Sequence, residues 1–177
     1  MGGKQTLKDF FDVPVDVYPV GRLDYDSEGL LILTNDKHLN NQLLNPLLSH
    51  KREYWVQVEG LITEEAIGKL NKGVSITVDG KLYNTQPGFA ELMKSPLVPE
   101  RKPPIRFRKN VPDSWIRLVL TEGKNRQVRK MTASVGFPTL RLLRYRIEKI
   151  NLDRLQPGEM KILSHGEMYN LLKITKR

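Results

Sequence analysis

Three stretches of this 177-residue sequence hold side chains whose types and spacing could do chemistry. The first is Gly21-Arg22-Leu23-Asp24-Tyr25-Asp26-Ser27-Glu28-Gly29, which sets three carboxylates directly ahead of the apolar run Leu30-Leu31-Ile32-Leu33. Taken alone, Asp24 suits a turn or a cap. Asp24, Asp26, Glu28 and Gly29 also fall at positions 1, 3, 5 and 6 of a calcium loop, but Asn35 replaces the bidentate Glu at position 12. The following run reads as a strand where that loop needs a helix, so calcium is set aside. The second stretch is Glu53-Tyr54-Trp55-Val56-Gln57-Val58-Glu59-Gly60, in which Tyr54 is, by itself, a strand aromatic. The third, Glu122-Gly123-Lys124-Asn125-Arg126-Gln127-Val128-Arg129-Lys130-Met131, puts a glycine and then basic and amide residues at a helix start, an anion-binding corner. It lacks phosphate-loop spacing. His38, His50 and His165 are scattered and there is no cysteine, which leaves no metal cluster, disulfide or thiol nucleophile.

Charge points the same way as the third stretch. The formal net charge is +9, yet residues 1–100 hold 10 basic and 14 acidic side chains, and residues 101–177 hold 19 and 6. Between Lys124 and Arg146 there are seven basic residues and no acidic one. Such asymmetry is the footprint of a polyanion-binding face. A membrane surface fits less well, because the arginines alternate with core-type residues. No apolar run approaches the roughly 20 residues that cross a bilayer. A soluble, intracellular protein is expected.

The elements that must position these side chains follow from punctuation and periodicity. A short helix is expected from Thr6 to Phe11, a buried strand over Leu30–Thr34, and a helix from His38 to Leu44. Glu53–Glu59 alternates strictly, with Tyr54, Val56 and Val58 on one face. Thr63 caps a helix closed by Gly73, and Asp79-Gly80 marks a hairpin between Val74–Val78 and Leu82–Thr85. Five prolines between 95 and 112 make that stretch a loop or hairpin tip. Trp115–Thr121 is a strand, Asn125–Val135 a helix, Leu140–Ile147 a strand with arginines on both faces, and Ser164 with Glu167 a capping box for a last helix. The sum is an α+β domain spanning 1–177, possible in two lobes: a mixed, largely antiparallel sheet with flanking helices around a basic cleft.

Together the three stretches resemble the RsuA family of ribosomal RNA pseudouridine synthases. The Gly-Arg-Leu-Asp run leading into Ser27-Glu28-Gly29-Leu30-Leu31 is similar to the family's catalytic loop. Tyr54 with Val56, Val58 and Gly60 is similar to its second motif, and residues 122–131 to its third. Pro103-Pro104-Ile105-Arg106 and Phe137-Pro138-Thr139-Leu140-Arg141-Leu142 look most like the E-type branch, which acts on 23S rRNA of the large subunit. The chain begins beyond the strand with a Lys-Pro-x-Gly motif that usually opens family members, so a shortened start is expected. The resemblance to E-type members also implies that no S4 RNA-binding module is expected ahead of the catalytic part.

The resemblance implies an isomerisation of uridine that needs no cofactor, metal or group donor, carried out in the cytoplasm by a monomer on ribosomal RNA. It makes Asp24 the catalytic carboxylate, attacking C1′ or C6 or assisting removal of the C2′ proton. Asp24 is then expected to be a buried anion held by Arg129, whose planar fork favours the charged form. Tyr54 would stack on the target uracil and could serve in proton transfer. Arg22, Lys124, Asn125, Arg126, Gln127, Lys130, Arg141 and Arg144 are the expected RNA contacts. With about five phosphates neutralised, log K should fall with log salt at a slope near −3.5. A non-catalytic, ribosome-associated RNA-binding module is the alternative from another class, and a phosphate-handling enzyme built on Glu122–Gln127 a weaker third.

Overall fold

The computed structural model describes residues 6–105 and 111–175. Arg106 of the Pro103–Arg106 motif, and part of the proline-rich stretch, therefore lie outside the described residues. The short helix expected from Thr6 to Phe11 is a single 3-10 turn, Leu7–Asp9, and three dipeptide strands follow it: β1 (Tyr18–Pro19), β2 (Glu28–Gly29) and β3 (Leu33–Thr34). The continuous strand expected at Leu30–Thr34 is a correction. Leu30 and Ile32 are buried as expected, but the run crosses between two sheets. The Leu30 amide donates to Arg144 O at 2.8 Å, while Ile32 O accepts from Val20 N at 2.8 Å. Apolar content alone does not distinguish such a crossing from a strand.

Helix α1 (Lys37–Leu44) starts where Asp36 Oδ1 accepts from His38 N at 2.8 Å and Leu39 N at 3.0 Å. A 3-10 turn, Pro46–Leu48, follows. Strand β4 (Arg52–Glu59) then leads to α2 (Glu64–Lys72), capped by Thr63 and carrying Glu64 and Glu65 against its positive end and Lys69 and Lys72 against its negative end. Strands β5 (Ser75–Val78) and β6 (Lys81–Asn84) form the hairpin expected of Asp79-Gly80, whose φ values of 49° and 76° suit a primed turn.

Strand β7 (Phe89–Met93) was not expected. Its Phe-Ala-Glu-Leu-Met sequence lacks β-branched residues, and antiparallel pairing with β8 (Asp113–Leu120) recruits it. After α3 (Gln127–Ser134) come β9 (Thr139–Ile147), the short return β10 (Ile150–Asn151) and α4 (His165–Leu172), which begins at the Ser164/Glu167 capping box.

The main sheet runs β10-β9-β4-β8-β7, all antiparallel, with β2 added parallel to β9. The protein is accordingly α+β, largely antiparallel, with helices against the sheet. Val56, Val58, Ile116, Leu118, Leu120 and Leu142 project from one face onto α2 and α3 and form the larger core. Each such side chain contributes about 1.5–3 kcal/mol by burial. A second core joins Leu30, Ile32, Leu39 and Leu43 to Ile147 and α4. Strand β9 belongs to both, through Leu142 and Ile147. Among the described residues no helix is long and apolar enough to cross a membrane.

Candidate active site

A cleft of about 860 Å³ opens between the two cores, on the face of the sheet that carries Tyr54. Asp24 and Arg22 line one wall, the Glu122–Gln127 corner another, and Tyr54 with Arg144 the floor. The three stretches singled out in the sequence thus meet in space.

Asp24 is brought there by close approach of two backbones. Gly29, at φ 110°, ends the loop by pairing with Arg144 of β9. A Cβ on Gly29 would lie 2.4 Å from Arg144 O and 2.7 Å from Arg144 N, so only glycine lets β2 lie this near β9.

The cation beside Asp24 differs from expectation. Arg126 Nη1 stands 3.8 Å from Asp24 Oδ2, and the Asp24 side chain is one-third exposed (33%) to the cleft. Arg129, the expected partner, is turned to Asp26: its Nη2 donates to Asp26 O at 2.6 Å, and its Nε lies 3.3 Å from Asp26 Oδ2. Burial pulls the Arg129 guanidinium below its ordinary range, with the Asp26 charge opposing that. Arg129 sits behind the loop and holds its backbone, outside the cleft lining. Asp24 as a buried anion clamped by Arg129 is therefore corrected to a cleft-facing anion beside Arg126.

Asp26, weighed in the sequence only as part of a calcium loop, had no expected site role. Arg126 donates two parallel bonds to its carboxylate, at 2.7 and 2.9 Å. That hydrogen-bonded guanidinium, with the Arg129 charge behind it, holds the Asp26 carboxyl down at about 2. The signal available was spacing: a second carboxylate two residues after Asp24, opposite a motif with two arginines three apart.

Tyr54 stands on β4 opposite Arg144 of β9. Arg144 is buried, donates from Nε to Leu30 O at 2.8 Å, and meets the Tyr54 side chain. Burial lowers its pKa, and Tyr54 counters part of that. It is a floor residue of the cleft, not a surface phosphate contact. Arg141 is three residues earlier on the same strand and so points to the other side of the sheet. There it is buried against Glu28 (3.0 and 2.8 Å) and Pro99 O (2.8 Å), which takes it away from the expected RNA contacts.

Arg22, Lys124, Asn125 and Arg126 are exposed along the cleft, as an RNA contact requires. Lys130 is half-buried outside the lining. Gln127 lines the cleft but is buried and bonded within the protein: its Oε1 accepts from Lys124 N at 2.8 Å and its Nε2 donates to Glu122. Glu122, buried, also accepts from Gln86 N at 2.9 Å and from the Tyr83 hydroxyl. This carboxylate ties hairpin β5–β6 to the start of α3; the sequence offered Glu122 only as the start of the third motif and of the phosphate-handling alternative, and Tyr83 not at all. The hydrogen bond to Glu122 pushes the Tyr83 phenol up to about 12.

Comparison with known proteins bears on the same three segments. The pattern of the RNA pseudouridylate synthase family matches residues 3–134. Ribosomal large subunit pseudouridine synthase E of Vibrio parahaemolyticus is 49% identical over 159 residues, covering 90% of this chain and 65% of that protein. The protein of the same name from Xanthomonas axonopodis pv. citri is 48% identical over 155 residues, covering 87% of this chain and 79% of that one. A crystal structure of a pseudouridylate synthase superposes with a TM-score of 0.75 at 25% identity, covering 94% of this chain and 65% of the other. The chain thus spans 65% of the length of the Vibrio relative. With the Asp24 loop, the Tyr54 strand and the helix start at 122–131 converging on one cleft, the comparisons establish that the chain belongs to the RNA pseudouridylate synthase family.

Proposed function

We propose that this chain isomerises a specific uridine of 23S rRNA to pseudouridine in the cytoplasm, acting as a monomer without cofactor or metal. The observation that carries the reading is the meeting of Asp24, Tyr54 and Arg126 on one cleft in a chain 49% identical to a large subunit pseudouridine synthase. In the reaction the N1–C1′ bond breaks, the freed uracil turns, and C5 bonds to C1′. C5 gives up its proton and N1 gains one, so the product is an isomer.

Asp24 supplies the ionised carboxylate, and attack at C1′, attack at C6 and assisted loss of the C2′ proton all use the same group. Arg126 Nη1 stands 3.8 Å from that carboxylate and places a positive charge beside it. Arg129 acts through the loop backbone, by its bond to Asp26 O. A uridine in folded RNA must leave its stack to reach Asp24, at a cost of a few kcal/mol. Stacking on Tyr54 returns about 1–3 kcal/mol. Arg22, Lys124 and Asn125, exposed at the rim, meet the RNA backbone.

The test is Asp24→Asn, nearly isosteric and unable to act as an anion. Incubated with unmodified 23S rRNA fragments, wild type is expected to yield mapped pseudouridine and the variant none, with RNA affinity within about twofold. Full activity in the variant sinks the reading. Binding without modification by the wild type favours an RNA-binding module.

A further inference from the structure

The lip of the cleft carries a feature that the isomerisation itself does not use. Leu44, Leu47 and Leu48 are 48%, 87% and 44% exposed within five residues of one another. Leu44 and Leu47 line the same cleft as Asp24 and Tyr54. A single exposed leucine is ordinary, but a cluster at the edge of a functional cleft calls for an apolar partner.

The turn that presents them is braced. Pro46 fixes the backbone at its first position, and Asn45 Oδ1 accepts from Leu47 N at 3.0 Å. Ser49, at φ 50°, closes the turn. From β4, Arg52 donates to Leu43 O at 2.8 Å and to His50 O at 3.2 Å. The preceding helix is anchored by Leu39 and Leu43, both buried. Leu47 is therefore held out rigidly into water, which stabilises nothing by burial until something apolar meets it.

We propose that Leu47 is a wedge that enters the RNA stack at the place the target uridine leaves; this rests on the rRNA reading above. Base faces are the apolar surface that RNA offers, and leucine is among the side chains that insert between base steps and hold them apart. Arg22, exposed, lines the same cleft, which suits a polyanion beside the inserted side chain and disfavours an apolar protein surface. Tyr54 on the floor receives the base, and Leu47 at the lip occupies the gap. Leu47 is a positioning residue: it acts on the stack and not on the reacting atoms.

The test uses the full chain and the 23S rRNA fragment in which it forms pseudouridine. The fragment is presented as a folded hairpin and as the same strand with its complementary arm deleted, so that the target uridine is already free of its stack. Leu47→Ser is expected to lose roughly tenfold or more in kcat/KM on the folded form and to stay within about twofold of wild type on the opened one. Leu47→Met, still apolar, is expected to keep the wild-type rate on both. Equal losses on the two RNAs, or no loss on either, overturn the wedge. So does a dimer in sedimentation that Leu47→Ser dissolves, since the leucines then serve a second copy of the chain. If wild type modifies neither RNA, the rRNA reading fails and takes the wedge with it. If wild type is active and Leu47→Ser is its equal on the hairpin, the wedge alone fails.

Discussion

Arg126 gives its two parallel hydrogen bonds to Asp26, at 2.7 and 2.9 Å, and stands 3.8 Å from Asp24. The guanidinium therefore serves Asp24 by charge and Asp26 by geometry. Removing the Asp26 charge releases Arg126 to collapse onto Asp24, where it would occupy the carboxylate proposed to react. Asp26→Asn is expected to lower kcat by roughly 10- to 100-fold while KM moves by less than about threefold. Steady-state kinetics on the rRNA fragment checks this; a change confined to KM contradicts it.

The same carboxylate makes an acid-stability signature. Its folded-state pKa is depressed to about 2, below the unfolded value of about 3.9. Its contribution is fully present above the unfolded value and is lost as pH falls through about 2. Urea unfolding of wild type and Asp26→Asn should differ at pH 5 and converge as pH falls from about 4 toward 2. Curves that stay parallel through that window would contradict the ion pair.

Gly29 is where the loop that carries Asp24 touches β9. Because an added Cβ would meet Arg144 O at 2.4 Å in a left-handed backbone, Gly29→Ala must push β2 away and carry Asp24 with it. A stability loss of about 2 kcal/mol or more is expected from strain of this kind, with near-complete loss of modification. Denaturant midpoints and pseudouridine mapping on the same preparation give both readings.

Tyr54 separates stacking from its hydroxyl. Tyr54→Leu is expected to weaken binding of RNA with an already unstacked target by about 1–3 kcal/mol. Tyr54→Phe should retain that affinity and lose about 1 kcal/mol of stability, because Arg144, buried beneath, gives up a partner. Equal affinity losses in the two variants would argue against stacking.

The salt dependence of binding should be shallower than charge counting along the sequence implies. Arg141 is paired behind the sheet, Arg144 lies in the floor and Arg126 is bonded to Asp26, leaving Arg22 and Lys124 exposed on the cleft. Two phosphate contacts predict a slope of log K against log salt of about −1.4, in place of −3.5. Titrations between low and moderate potassium chloride distinguish the two.

Much of the architecture is written locally. Alternation along β4, the Thr63 cap and Gly73 stop of α2, the Asp79-Gly80 turn and the Ser164/Glu167 box each depend on neighbouring residues and appear where expected. Strand β7 and the splitting of Leu30–Thr34 depend on distant pairing partners and had no local sign. At the site, Asp24, Tyr54, Lys124 and Arg126 could be picked out by type and spacing. Which arginine reaches which carboxylate could not. Arg126 is the αL residue just before α3, at φ 53°, so its side chain leaves at an angle that helical periodicity does not describe. For Arg141 and Arg144, odd spacing already placed them on opposite faces of a strand, but only packing of α3 and the hairpin decides which face becomes the cleft.

The Tyr83–Glu122 bond sets how durable one wall of that cleft is. The phenol stays protonated, and so remains a donor, until about pH 12. Strong base makes the 2′-hydroxyls of RNA cut their own strand well before the phenol is titrated, so alkali would cleave the proposed substrate ahead of this joint.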